Sequence, residues 1–192
     1  MIIYFISEES LKDTTILNEN VDPKLIAPAI VEAQDIHIQT LIGSGLYDKM
    51  KTLVASGGIS QAANAAYKTL LDSYIQPALK YYVLAELVFP MTVKFMNKSV
   101  ASRNSDNASS IPLDEVARTM EHYKTKAEWY GKRLINYLRD NVIPIPEYTS
   151  IVTPGFSTII PKSTSYTSGM YLGDGDCGCE NGMFNFNYKN NG

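Results

Sequence analysis

Apolar residues return at helical spacing through most of the first 140 positions and then lose their period. The clearest run is Leu113, Val116, Met120, Tyr123, Ala127, Tyr130, Leu134 and Leu138, three and four apart, which predicts one long amphipathic helix. Asp114 and Glu115 stand at its start, and Lys132, Arg133 and Arg139 near its end, the polarity that suits a helix dipole. Upstream, Tyr67, Leu70, Leu71, Tyr74, Ala78, Tyr81, Tyr82, Ala85 and Phe89 keep the same period across Pro77. Proline withholds one backbone donor, so a kink or split is expected there, between halves at 61–74 and 77–89. The second half is apolar on nearly every side, which predicts burial all round, with a neighbouring subunit as one way to cover it. Asp22-Pro23 has the form of an N-cap followed by a first-turn proline, although Pro28 allows the regular helix to start only there. Ile26, Ile30, Ala33, His37 and Leu41 then form one stripe, with Ala29 and Ile36 beside it.

The shorter pieces are read from composition. Ile2 to Ile6 is a β-branched and aromatic run that predicts a short strand. SEESLKDTTILNEN is polar and loop-like, with Leu11, Ile16 and Leu17 as anchors. LIGSGLYDKM places Gly43-Ser44-Gly45 after a helical stripe. Phosphate loops put their glycines after a strand and before a helix. The order here is the reverse, with no third glycine and no Lys-Ser/Thr, so a corner between two helices is expected. A short helix, Leu46 to Ala55, should follow and end at Ser56-Gly57-Gly58. Pro90 disturbs the chain before VKFMNKSV, and ASRNSDNASSIP, 101–112, reads as a Ser/Asn-rich loop.

From Val142 onward the chain is rich in Pro, Gly, Ser, Thr and Asn yet keeps apolar anchors. These are Ile143, Ile145, Tyr148, Phe156, Ile159, Ile160, Tyr166, Met170, Tyr171, Phe184, Phe186 and Tyr188. Disordered tails are poor in such residues, so the segment reads as an extended arm that orders on a partner. The expected fold is mainly α: a bundle of about four to five helices with a short N-terminal strand, residues 1–141, followed by an arm, 142–192.

Charge and candidate chemistry change little. The net charge is −3, and charged residues are 19% of the chain, below the usual quarter. That gives no basic footprint for nucleic acid and suggests surface covered by partners. Tyr74 to Met96 carries Lys80, Glu86 and Lys94, too many charges for a membrane span. MIIYFI is too short for a signal peptide and lacks a basic flank. Cys177 and Cys179, one residue apart, argue against a disulfide framework. His37 and His122 have no neighbouring acid–nucleophile pattern, so a structural role is expected for both. Glu86 and Lys80 are placed on a narrow solvated edge of their helix, with a polar subunit contact as the alternative. Without interleaved basic residues, the tyrosines point to packing more than to base stacking. Asp174, Asp176, Cys177, Cys179 and Glu180 resemble ligand spacing. Zinc wants two separated pairs and an EF-hand wants a different order, so a turn is expected and no metal or other cofactor.

Several landmarks in order carry a resemblance: Ala33-Gln34 leading to Leu41-Ile42-Gly43, then Gly45-Leu46-Tyr47, Tyr74-Ile75-Gln76-Pro77, the KFMNKSV turn, and the helix ending YGKRLINYLRDN. Over about residues 1–141 the chain resembles the head–tail connector (adaptor, or head-completion) proteins of tailed bacteriophages, and most closely the portal-proximal ring protein of crAss-like phages. The resemblance implies a structural virion protein with no catalysis, made in the host cytoplasm and placed at the head–tail interface. It implies a homo-oligomeric ring of about twelve copies bound to the portal protein and to the next tail or ring protein. Such a ring encloses DNA without sequence-specific binding and touches no membrane. The arm anchors Ile143, Ile145, Tyr148, Phe156, Ile159, Ile160, Tyr166, Tyr171, Phe184, Phe186 and Tyr188 are its expected interface. Two alternatives stand beside it: a helical scaffold or regulatory module outside virions, and a small metal-binding protein using Asp174 to Glu180.

Overall fold

The computed structural model describes residues 2–96, 99–102, 112–140, 145–149 and 158–161. The chain is mainly α-helical. Helix α1 spans Glu8–Thr14, α2 Pro23–Glu32, α3 Gln39–Ala55, α4 Ala65–Leu70, α5 Gln76–Thr92, α6 Leu113–Asp140 and α7 Pro146–Thr149. Two π-helical turns, Ala33–Ile38 and Leu71–Ile75, join α2 to α3 and α4 to α5. Strands β1, Val93–Met96, and β2, Ser99–Ser102, form an antiparallel hairpin with Val93 opposite Ser102. The VKFMNKSV turn is therefore this hairpin, and residues 103–111 of the expected loop lie outside the described residues.

Helix α5 is the centre of the molecule. Ala78, Leu79, Tyr82, Val83, Leu84, Ala85 and Leu87 are all buried, beneath α2, α6 and the first π turn. The expected burial holds from Ala78 to Leu87, with cover from its own chain, while Phe89 and Met91 near its end stay exposed. Tyrosines seal the seam of α6 with α5 and the π turn before it: Tyr74 stacks on Tyr137 at 3.9 Å and Tyr81 on Tyr130 at 5.2 Å. Packing of this kind is worth more than the area it buries.

Pro77 does not break the helical run. The N–H of Gln76 donates back to the Leu71 carbonyl, five residues earlier, and Pro77 enters as a first-turn residue of α5. Proline has no N–H to continue the ladder, and the wider i→i−5 bonding of the π turn takes up that missing bond without ending the run. The π turn thus takes the place of the expected kink. Helix α2 begins at Pro23, not at Pro28, because the Asp22 carboxylate accepts the Lys24 N–H at 3.0 Å and caps the helix. Segment 7–20 is not simply a loop. Ser7 caps α1 by accepting the Ser10 N–H, Leu11 is buried, and Ile16 stands exposed. Among the described residues, no helix is long and apolar enough to cross a membrane.

Residues 2–6 form no strand. An extended segment needs a partner for its backbone groups, and here the partners are side chains of Gln34, in the first π turn, and Gln76, at the start of α5.

Candidate functional site

The geometry that sets this molecule apart is how its helical body holds two extended segments, one from each end of the chain. At the N-terminal end the Gln34 amide is almost fully buried, 1% exposed. Its carbonyl oxygen accepts the Phe5 N–H at 2.7 Å, and its Nε2 donates to the Ile3 carbonyl at 3.0 Å. One amide thus copies the donor–acceptor pair that a neighbouring strand would offer. Gln76 Nε2 adds a bond to the Phe5 carbonyl at 2.9 Å. Phe5 and Ile6 point into the core, where Phe5 meets Tyr47 edge-on at 5.3 Å. Tyr47 in turn donates to Asp35 Oδ1 at 2.5 Å, while Lys51 lies 3.5 Å from the same oxygen and over the Tyr47 ring. Burial, then the Asp35 bond, raise the Tyr47 pKa well above the usual phenol value.

At the other end the corner is Gly43-Ser44-Gly45. Gly43 has φ 78 and ψ 160, a conformation that side-chain-bearing residues rarely adopt. The Ser44 N–H, freed by this bend, donates to the Ile159 carbonyl at 2.9 Å. Ser44 Oγ accepts the Ile159 N–H at 2.9 Å and the Gln39 amide at 3.0 Å. A Cβ on Gly43 would lie 2.7 Å from Pro161 Cδ, and one on Gly45 would lie 3.1 Å from the Glu147 carbonyl. Both glycines are therefore places where returning backbone comes close. The corner expected from sequence is present, and it also seats the C-terminal segment.

Helix α7 ties the same segment down. Tyr67 donates to Glu147 Oε2 at 2.6 Å, with Lys49 at 3.9 Å from the other oxygen. Burial first, then the Glu147 carboxylate, push the Tyr67 pKa up to about 12. Ile145 is 5% exposed and belongs to the core, and Tyr148 packs against it. Residues 145–149 and 158–161, assigned to the arm on sequence grounds, thus rest on the helical body. Ile145 is spent inside its own chain and offers nothing to a partner. Ile159 and Ile160 keep exposed side chains, 36% and 58%. Ile143, Phe156, Tyr166, Met170, Tyr171, Phe184, Phe186 and Tyr188 lie outside the described residues, as do Asp174, Asp176, Cys177, Cys179 and Glu180.

His37 has a partner that sequence spacing does not show. Its Nε2 sits 2.8 Å from Glu86 Oε1, and its ring stacks on Tyr82 at 4.2 Å. The two frame a cleft of about 270 Å³ completed by Met120, Glu121 and Lys124. The lining holds an imidazole–carboxylate pair but no Ser, Thr or Cys to act as nucleophile. Among the described residues, no cluster of three or more His, Cys, Asp or Glu is arranged to hold a metal. Glu86 is engaged within the chain, and Lys80 lies over the Tyr81 ring. His122 stands exposed on α6, edge-on to Tyr123.

A family model matches residues 38–153, more than half of the chain. The chain belongs to the family of unknown function DUF6712. The DUF6712 match takes in the Gly43–Gly45 corner, the Pro77 π turn, α5, α6 and α7, and it leaves out Gln34 and the segment that Gln34 holds. No curated protein and no solved structure matches the chain.

Proposed function

We propose that this chain is a structural subunit of a tailed-bacteriophage head–tail connector, a ring that binds the portal and extends the DNA channel toward the tail. One observation carries the reading. Four landmark residues behind the resemblance, Gln34, Gly43, Gly45 and Gln76, lie where the body fastens extended chain. Gln34 and Gln76 hold the N-terminal segment, and Gly43 and Gly45 lie under the returning C-terminal one. A body built to hold extended segments suits a protein whose work is to be joined to others.

Within that reading, the interface anchors are Ile159, Ile160 and the aromatic residues of the chain beyond Pro161. The weak net charge, −3, suits a channel through which DNA slides, since many phosphate contacts would retain it. The protein acts without a cofactor and without catalysis.

Mass photometry of the purified chain, alone and mixed with its cognate portal, tests this. Twelve copies of 21.3 kDa would add about 256 kDa to the portal. Portal mass unchanged by excess protein would overturn the reading in favour of a helical scaffold or regulatory module.

A further inference from the structure

One flank of α6 is unlike the rest of this acidic protein. From His122 to Arg139 the helix as a whole holds five cations, Lys124, Lys126, Lys132, Arg133 and Arg139, and one acid, Glu128; Lys124 lines the His37 cleft, so Lys126 and Arg133 are the cations that mark the flank. Glu121 lines the His37 cleft, and Glu128 acts on the Tyr82 phenol. On the other side of the helix Lys126 lies over the Tyr81 and Tyr123 rings at 5.9 and 5.6 Å, and Arg133 over Tyr74 at 5.0 Å. Neither cation pairs with a carboxylate among the described residues. Beside them Trp129, edge-on to Tyr130 at 4.9 Å, is 60% exposed. Tyr123 to Tyr137 spans about 21 Å along the helix. Exposed tryptophan flanked by arginine is the composition of a binding hot spot.

The opposite sign lies at the other end of the chain. The first 40 residues hold seven acids and two lysines, a net of −5. Glu9 and Asp13 are exposed one turn apart on α1 and pair with no cation among the described residues. Tyr4 and Ile16 are exposed in the same segment. We infer that the Tyr123–Tyr137 flank of α6 docks a second copy of this chain through that copy's acidic N-terminal segment. The two patches differ, so the contact is head-to-tail, the kind that repeats around a closed ring. The inference rests on the ring proposed above and specifies its subunit contact.

Trp129 is the sole tryptophan and reports directly. On assembly, alone or on the portal, its emission should shift to shorter wavelength and its quenching by acrylamide should fall. Lys126→Glu with Arg133→Glu should weaken association at least about tenfold, as should Glu9→Lys with Asp13→Lys. All four reversals in one chain should recover most of the loss. Trp129→Ala weakens association without removing a cation, which guards against a fold defect in the charge variants. Assembly that leaves Trp129 exposed, or four reversals that restore nothing, would overturn the inference. So would a chain that never associates. Quenching of Trp129 by an oligodeoxythymidine while copies stay apart would make the flank a nucleic-acid face and overturn it too. Intact self-association with no portal binding would count against the portal reading alone.

Discussion

The two ends of the chain are held on the same body by different means. The N-terminal segment is gripped by buried amides, and its side chains Phe5 and Ile6 complete the core. The C-terminal segment at 158–161 is joined through Ser44 and a glycine that leaves room for Pro161, while Ile159 and Ile160 stay exposed. The first attachment cannot be lifted without exposing Phe5 and Ile6 and leaving the buried Gln34 amide unpaired. The second can be lifted at the cost of two hydrogen bonds that water can replace. One end is part of the fold, and the other is a contact that can be remodelled without unfolding the body.

The contrast predicts a ranking. Gln34→Leu should be the most damaging, about 2–3 kcal/mol, because it strands the Phe5 N–H and Ile3 carbonyl in the interior. Urea denaturation should show a lower midpoint at unchanged slope, and a loss under about 0.5 kcal/mol would mean that the clamp matters little. Gly43→Ala should cost about 1–2 kcal/mol, since alanine must take a positive φ and its Cβ would press on Pro161. Shortening the chain to residue 149 should remove the clash but leave the φ penalty, so the substitution should remain harmful there.

Tyr67→Phe should cost about 1 kcal/mol and alter the alkaline response. The Tyr67 and Tyr82 pKa values are each raised from 10.0 to about 12. Their folded-state pKa values lie above the unfolded one, so their contribution is complete below pH 10 and is lost as pH rises toward 12. Wild-type stability should therefore fall between pH 10 and 12, and the fall should be shallower in Tyr67→Phe. Identical slopes in the two proteins would contradict the assigned cause. Smallest of all, Ser44→Ala should change global stability by less than about 1 kcal/mol. It should still speed proteolytic cleavage near 158–161.

Much of the fold was legible because periodicity reports burial directly. The α6 stripe, the Asp22-Pro23 start and the Gly43 corner each follow from a local rule, and each is present. The misses share one cause. Ile2–Ile6 has strand composition, but whether an extended segment pairs with a strand or with side chains depends on residues 29 and 71 positions away. The fate of Ile145 likewise depends on a core assembled from distant helices. Gln34 carried a usable signal, an amide between Ala33 and Ile36 on an apolar stripe, where a polar side chain needs buried partners. The His37–Glu86 pair, 49 residues apart, left none. Pro77 predicts a kink or split, and its resolution in a π turn instead depends on a backbone bond that composition does not reveal.

Native-state hydrogen exchange at the Phe5 and Ser44 amides, in the free chain and in the proposed portal-bound ring, separates the two attachments most directly. Phe5 should exchange only through global unfolding in both samples. Ser44 should exchange faster by orders of magnitude in the free chain and slow markedly in the ring. Equal protection of the two amides in the free chain, or no change at Ser44 on assembly, would contradict the division into a fixed end and a remodelled one.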